Sequence, residues 1–231
     1  MDSISLNSID IAFANAQYQR GNRIRISHFL SDDSARELKA LVDTIPYYHQ
    51  ACFYDGQAQL IPPKKFSELD LKARQEFIKK IYVQAADATG FWYGRYQPEG
   101  AGALIYDQIK SWLESSVILD FVRAVTGHEN LSKVTTQITC FKPGDFLTRH
   151  NDVVPVENRK VAYVLNLPNQ WHPDWGGLLQ FYTEHGQPLE AWSPEYNSFG
   201  LFDVSHPHSV TSVSQFSPQN RITISGWFHS D

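Results

Sequence analysis

The 231-residue sequence is poor in cysteine, in basic residues and in long apolar runs, and each shortage excludes a class of protein. Its two cysteines, Cys52 and Cys140, form no spacing pattern, which excludes a disulfide scaffold and a cysteine-rich zinc site. Lys and Arg number 20 against 25 Asp and Glu, without a cluster that could follow a phosphate backbone, so we expect no nucleic-acid partner. No run approaches the ~18 apolar residues of a membrane span, and residues 1–20 do not resemble a signal peptide. We therefore expect a cytoplasmic protein with no membrane partner.

What remains is the composition of a folded domain. Apolar residues make up 42% of the chain, aromatic residues 13% and charged residues 19%, which is too apolar and too weakly charged for intrinsic disorder. A chain of this length can bury roughly 70% or more of its unfolded surface in one core. No linker or internal repeat divides it, so we expect one domain over residues 1–231. The oligomeric state does not follow from the sequence.

The first half, residues 1–131, is expected to be mainly helical support. Apolar residues recur at three- and four-residue steps over 31–45, and this spacing predicts an amphipathic helix behind Ser and Asp caps. A second helix is expected from about Ser67 to a stop at Gly90, and a broken third helix over 106–126. The aromatic, Gly- and Pro-rich segments 47–65 and 90–102 are expected to be ordered loops.

From residue 132 onward, short Val-, Ile-, Thr- and aromatic-rich segments alternate with turn signals, which predicts a β-barrel. The expected strands are 133–141, 160–167, 177–183, 197–204, 208–214 and 220–228. Helices followed by strands indicate an α+β fold, with the helices packed against one face of the barrel in residues 132–231.

Two features of this second half could bind a metal. His150 and Asp152 stand two residues apart, so on an extended segment both side chains face the same way. Chance alone supplies about 0.6 His-x-Asp matches in a chain of this composition, so this pair by itself has little weight. His206 and His208 follow more than fifty residues later, and either could complete a set of two histidines and one carboxylate. That set holds non-haem Fe(II) and leaves coordination positions open.

A co-substrate such as 2-oxoglutarate could fill open positions with its keto-acid end, and its distal carboxylate would then need a cation. Arg221 opens the last apolar strand, and arginine binds carboxylates through two parallel hydrogen bonds. Alternation places Thr223, Ser225 and Trp227 on the same strand face as Arg221. A hydroxyl could therefore assist the arginine.

These motifs together resemble a known family. HND at 150–152, WGGLLQFY at 175–182, HSVTSV at 208–213 and NRITISGWFH at 220–229 resemble the prolyl-4-hydroxylase-like branch of the Fe(II)/2-oxoglutarate oxygenases. The closing SGWFH and the preceding NSFGLFDVSH look most like the ribosomal-protein prolyl hydroxylase group within it. The resemblance covers roughly residues 132–229 and implies a double-stranded β-helix, a jelly-roll or cupin-like barrel.

The resemblance also implies roles for individual residues. His150, Asp152 and His208 would bind Fe(II), and Arg221 would bind 2-oxoglutarate, with O₂ as the oxidant and ascorbate as a further ligand. His208 is preferred to His206 because the H-x-V-x-x-V pattern begins there. Many members of the family place a tyrosine on the strand after H-x-D, where this chain has Asn166, with Tyr163 three residues earlier; we take both as co-substrate-binding candidates.

Three functions are compatible with this pattern. The first is hydroxylation of a prolyl residue in a protein or peptide, which the resemblance implies. The second keeps the chemistry but acts on a free amino acid or another small molecule. The third is a non-catalytic metal-binding barrel, which the presence of all three ligand candidates and Arg221 disfavours.

Overall fold

The computed structural model describes residues 4–100 and 102–231. This part of the chain contains six α-helices, all before residue 131: α1 (Ile11–Gly21), α2 (Asp32–Asp43), α3 (Pro63–Ser67), α4 (Leu71–Ala86), α5 (Gly102–Leu113) and α6 (Ser116–Thr126). None of these helices is both long and apolar enough to cross a bilayer.

Twelve strands join one antiparallel sheet within the same described residues. In chain order they are β1 (Arg23–Ile26), β2 (His49–Tyr54), β3 (Gln57–Ile61), β4 (Phe91–Arg95), β5 (Leu131–Phe141), β6 (Phe146–His150), β7 (Arg159–Asn166), β8 (Leu179–Tyr182), β9 (Pro188–Trp192), β10 (Ser198–Asp203), β11 (His208–Val210) and β12 (Arg221–Ser230). Ten of them follow the path β1-β10-β7-β12-β5-β4-β6-β11-β8-β9, and β2 joins β3 to β4. This nearly closed barrel confirms the predicted α+β double-stranded β-helix.

The main core lies between the helices and one face of the barrel. Strand β12 separates core from barrel interior by alternation: Ile224 and Phe228 are fully buried in the core, whereas Arg221, Thr223 and Ser225 line the interior cavity. The core cluster includes the buried apolar faces of α2 and α6. Each fully buried Leu, Ile or Phe stabilises this arrangement by about 1.5–3 kcal/mol relative to an exposed one. The helices therefore hold β12, and with it the cavity wall, in place.

The three predicted helices are present, but the boundaries of two of them differ from the prediction, and α5 begins at Gly102. The predicted helix over 31–45 is α2, whose Ser31 hydroxyl accepts the backbone N–H of Ser34 as an N-cap. The broken helix over 106–126 is α5 followed by α6. The helix expected from Ser67 to Gly90 instead begins after an Asp70 cap and ends at Ala86. Gly90 is not its stop, because its N–H binds the hydroxyl of Thr148 and its carbonyl accepts from the same residue.

The expectation that 47–65 and 90–102 are loops is wrong. Strands β2 and β3 form a hairpin closed by Asp55 and Gly56, both at positive φ (50° and 75°), the conformation of a two-residue turn. Strand β4 pairs with β2, β5 and β6. Residues 1–131 therefore supply four strands as well as helices. Helix α1 and strands β1, β6 and β9 were not predicted, and the single-domain assignment itself stays a prediction.

Candidate metal and co-substrate site

The barrel brings His150, Asp152 and His208 together. His150 ends β6, His208 begins β11, and the two residues are directly paired between these strands. One potential ligand atom from each of the three side chains lies within 4.8 Å of the others. The two imidazole Nε2 atoms lie 3.6 Å (His150) and 3.4 Å (His208) from the carboxylate oxygens of Asp152. Strand pairing therefore produces the cluster that the sequence suggested.

Hydrogen bonds orient both imidazoles for metal binding. Nδ1 of His150 lies 2.9 Å from the carbonyl oxygen of Thr148, and Nδ1 of His208 lies 2.9 Å from that of His206. Each Nδ1 donates a proton to its carbonyl in the neutral ring, which leaves the lone pair on Nε2. Both lone pairs are then on the side of Asp152. Two neutral imidazoles and one carboxylate are the donor set of a facial triad, so these residues fit Fe(II).

Electrostatics support this protonation state for His208 and Asp152, whereas His150 is held closer to its charged form. Burial lowers the pKa of His208 to about 4, so its ring is neutral near neutral pH. Burial alone would also lower the pKa of His150, but the hydrogen bond and the charge of Asp152 outweigh it and raise that pKa. Burial likewise opposes ionisation of Asp152, yet its interactions with the two histidines lower the pKa of the carboxyl. The carboxylate is therefore ionised and available to a cation.

His206 does not belong to this cluster. Its Nε2 lies 2.8 Å from the carbonyl oxygen of Gly21, at the end of α1. The alternation that would place both histidines on one face fails because β11 begins only at His208. The geometry thus favours His208, although its role as a ligand stays a prediction.

A cavity of about 550 Å³ opens beside the cluster and reaches Arg221 in the barrel. Arg221 is 2% exposed and forms no ion pair with any described residue. Its Nε atom is buried without a hydrogen-bond partner, and its guanidinium carbon lies 5.3 Å from the centre of the Phe141 ring. Burial lowers the pKa of this arginine to about 10, so the group remains charged at neutral pH. A buried cation without a counter-ion is costly, and a ligand carboxylate would remove that cost.

The two hydroxyl groups on β12 that were predicted to assist Arg221 differ in their contacts. Thr223 and Ser225 both line the cavity, as expected, and the Thr223 hydroxyl lies 2.7 Å from that of Thr139. Because either hydroxyl can donate in this pair, the other remains free to donate to a ligand. Thr223 is thus placed to assist Arg221.

The two candidates on β7 are placed less favourably. The hydroxyl of Tyr163 donates to the Thr136 hydroxyl at 3.0 Å, and its ring packs in the helix-side core against Phe228 and Phe199. Tyr163 is among the residues that line the cavity, but strand alternation places its ring on the core side, and its hydroxyl is bound to Thr136. Asn166 on β7 is paired with Thr223 on the neighbouring strand β12. Its side-chain amide donates a hydrogen bond to the Ser198 hydroxyl, and Asn166 does not line the cavity.

Strand β4 contributes to the cavity, although a loop was expected at this place. Phe91, Tyr93 and Arg95 alternate along this strand and line the cavity, and the Tyr93 ring stacks on Phe141 at 4.7 Å. Two-residue alternation in FWYGR was the available signal, but the neighbouring Gly and Pro residues favoured a loop. Arg149, the neighbour of His150, is exposed and also lines the cavity.

The glycines of the WGG motif have a steric role near Arg221. Gly176 has φ 68°, and a Cβ atom there would lie 2.1 Å from the carbonyl oxygen of Ser212. Only glycine lets the segment before β8 approach the loop between β11 and β12 this closely. The same segment is fixed by the Trp171 indole, which donates to the Gly176 carbonyl at 2.9 Å. This aromatic segment is therefore part of the barrel edge.

A family of known proteins matches the part of the chain that contains this site. Residues 136–229 match the family model of the 2OG-Fe(II) oxygenase superfamily, and they include the three clustered residues and Arg221. The chain carries a 2OG-Fe(II) oxygenase domain. The family implies Fe(II), 2-oxoglutarate and O₂ as cofactor and co-substrates, which the donor set of the cluster and the unpaired Arg221 fit.

Curated relatives of the oxygenase domain are prolyl hydroxylases. Prolyl 3-hydroxylase sudestada1 of Drosophila melanogaster is 27% identical over 191 residues, which cover 76% of this chain and 32% of that protein. Prolyl 3-hydroxylase OGFOD1 of Mus musculus is 30% identical over 135 residues, which cover 54% of this chain and 22% of that protein. The chain thus spans a third or less of the length of these relatives.

A solved structure shares the fold of the oxygenase domain. A prolyl hydroxylase from Trichoplax adhaerens, in complex with a hypoxia inducible factor oxygen degradation domain peptide fragment, superposes with a TM-score of 0.60 at 16% identity. The superposition covers 95% of this chain and 90% of that one. The likeness therefore extends to the helical half, beyond the residues that the family model matches.

Proposed function

We propose that this chain is a Fe(II)- and 2-oxoglutarate-dependent dioxygenase that hydroxylates a prolyl residue in a protein or peptide. The observation that carries the oxygenase part is the buried, unpaired Arg221 at one end of a cavity whose other residues include the His150, Asp152 and His208 cluster. The prolyl part is supported by the relatives, which are prolyl 3-hydroxylases. When bound, Fe(II) couples oxidation of 2-oxoglutarate to succinate and CO₂ with insertion of one oxygen atom of O₂ into a C–H bond.

The residues of the chain would bind and orient the reactants. His150, Asp152 and His208 would hold the metal through two Nε2 atoms and a carboxylate oxygen. Arg221 would bind the distal carboxylate of 2-oxoglutarate through two donors, with a threonine hydroxyl beside it. No protein nucleophile or general base is needed, because the metal and the co-substrate carry the oxidation.

Apolar side chains would keep water away from the reacting C–H bond. Val164, Leu179, Phe202 and Val210 line the cavity beside the polar groups. A low-dielectric wall strengthens the ion pair between Arg221 and a bound carboxylate. It also limits unproductive oxidation by excluding solvent from the reactive centre.

The proposal is tested by incubating the full chain with Fe(II), 2-oxoglutarate, O₂ and a library of proline-containing peptides. We expect succinate formation that depends on peptide, and a mass gain of one oxygen atom on proline, located by fragmentation. His208→Ala should abolish both, whereas His206→Ala should retain them. Oxygen gain on a free amino acid or small molecule, and on no peptide, would replace the prolyl substrate by the small-molecule alternative.

Two further expectations concern cellular location and ascorbate. Cytoplasmic location is supported by Cys52 and Cys140, which are both free thiols; burial raises their pKa values to about 11 and about 12. Thiols with such pKa values are poor nucleophiles and fit a reducing compartment. Ascorbate binding stays a prediction that no described contact supports.

A further inference from the structure

The cavity of the oxygenase domain is lined by four arginines and one carboxylate. The cationic residues are Arg95, Arg149, Arg159 and Arg221, and the carboxylate is Asp152. The whole chain has a formal net charge of −5, so this concentration of positive charge is local. Charged walls of one sign concentrate ligands of the opposite sign.

Two of the four arginines are neutralised once the proposed reactants are bound. Arg159 forms an ion pair with Glu157 inside the protein, with Nε–Oε2 and Nη2–Oε2 distances of 2.8 and 2.7 Å. Its guanidinium also lies 3.7 Å from the centre of the Trp227 ring, which fixes its position. Arg221 would be neutralised by the distal carboxylate of 2-oxoglutarate. The charge of Asp152 and that of the remaining co-substrate carboxylate are matched by a divalent metal.

Arg95 and Arg149 have no such counter-charge. Neither forms an ion pair with any residue in the described part of the chain. Arg95 is half-buried beside Tyr93, and its charge partly opposes the increase in the pKa of Tyr93 that burial causes. Arg149 is exposed. The loaded site therefore has two unmatched positive charges, on the neighbouring strands β4 and β6.

We propose that Arg95 and Arg149 select an acidic peptide substrate by binding Asp or Glu carboxylates that flank the hydroxylated residue. This inference rests on the proposed function and specifies its substrate class. Guanidinium groups bind carboxylates through charge-assisted, often bidentate hydrogen bonds, and a half-buried guanidinium loses less of this interaction to solvent screening than an exposed one. Arg95 should accordingly contribute more than Arg149.

A peptide fits the remaining space better than a small acid. The cavity extends from the metal cluster past Ala88 and Thr89 to the β2–β3 hairpin, where Phe53 lines it. Phe91 and Tyr93 form an aromatic wall of the kind on which extended proline-containing chains pack. Arg95 and Arg149 line the same cavity as this aromatic wall, where they can meet residues that flank a target proline.

Fluorescence anisotropy of labelled ten-residue peptides tests the inference. The full chain is loaded with Mn(II) and 2-oxoglutarate, and each peptide has a central proline flanked on both sides by Glu, Gln or Lys. We expect the Glu peptide to bind about tenfold more tightly than the Gln peptide, and the Lys peptide to bind more weakly still. The preference should fall as salt increases, because screened charges attract less.

Variants assign the preference to the two arginines. Arg95→Gln and Arg149→Gln should each reduce the Glu-over-Gln preference by about two- to fivefold, and the double variant should abolish it. Arg149→Glu should improve binding of the Lys peptide. Arg20→Gln, an exposed arginine on α1 outside the cavity, is the matched control and should leave all three affinities unchanged.

Equal affinities for the Glu and Gln peptides in the wild type, or an undiminished preference in the double variant, would overturn the inference. So would competition by free glutamate that is as strong as competition by the unlabelled Glu peptide, because that points to a small-acid substrate. 2-Oxoglutarate binding is measured separately, as the increase in the melting temperature of the Mn(II)-loaded protein when 2-oxoglutarate is added. If 2-oxoglutarate fails to bind the wild type, the proposed function fails; if it binds and only the peptide preference is missing, the substrate inference alone fails.

Discussion

Replacing Arg221 by methionine should make the ligand-free protein more stable while it removes 2-oxoglutarate binding. The side chain is 2% exposed, has no ion-pair partner among the described residues and carries an unpaired Nε. In the absence of ligand it is a buried charge that contributes desolvation cost and little attraction. Methionine is unbranched and apolar, so it retains the aliphatic part of the side chain but removes the charge and the guanidinium that lies over the Phe141 ring.

The magnitude follows from the pKa of Arg221. Burial lowers it from its ordinary value to about 10, and each pKa unit corresponds to about 1.4 kcal/mol of disfavoured charge. The free energy of unfolding of the ligand-free Arg221→Met variant should therefore rise by at most about 3 kcal/mol, reduced by any loss of packing. The lost ion pair with a buried carboxylate should weaken 2-oxoglutarate binding by about 3–5 kcal/mol, more than a hundredfold.

Thermal melting with Mn(II), with and without saturating 2-oxoglutarate, measures both effects. The wild type should melt at a higher temperature when 2-oxoglutarate is added, since a ligand that binds only the folded state stabilises it. Arg221→Met should melt higher than the wild type without the ligand and should not respond to it. Arg221→Lys keeps the charge but loses the bidentate geometry, so its response should be intermediate. A destabilised Arg221→Met protein that still responds fully to 2-oxoglutarate would refute the reasoning.

Three other predictions concern pH and packing. Burial raises the pKa of Asp145 to about 7, above its value in the unfolded chain. The contribution of this carboxyl to stability is therefore full below pH ~4 and is lost as pH rises to 7. Urea unfolding at these two pH values should show a loss of at most about 4 kcal/mol for the wild type and no such loss for Asp145→Asn. Because Asp152 raises the pKa of His150, Mn(II) affinity should fall about tenfold per pH unit below that pKa, and a flat calorimetric titration series would contradict this. Tyr163→Phe should lose about 1 kcal/mol of stability by chemical denaturation without changing 2-oxoglutarate affinity, since its hydroxyl binds Thr136.

Several parts of the site could be predicted because they depend on short-range periodicity. The two-residue spacing of His150 and Asp152 is preserved where β6 ends, and the face shared by Arg221, Thr223 and Ser225 follows from alternation in a regular strand. Helix α2 was predictable for the same reason. In each case the local pattern and the tertiary fold favour the same conformation.

Other parts depend on pairing between distant segments, which periodicity does not specify. Whether His206 or His208 faces Asp152 is decided by where β11 begins opposite β6, and alternation alone placed both on one face. Strand β4 lies among Gly and Pro residues and is held by three other strands, so its local propensity was misleading. Arg95 was missed with it. Tyr163 is buried on the core side of β7, a distinction that the spacing from H-x-D did not provide.

The central claim is that His150, Asp152 and His208 hold Fe(II) beside 2-oxoglutarate. Anaerobic addition of Fe(II) and 2-oxoglutarate to the purified chain tests it through the visible charge-transfer absorption of the chelated pair. The account predicts this band for the wild type and for His206→Ala, and its loss in His208→Ala and His150→Ala proteins whose circular dichroism is unchanged. A wild-type protein without the band, or a band that survives in His208→Ala and disappears in His206→Ala, would contradict the account.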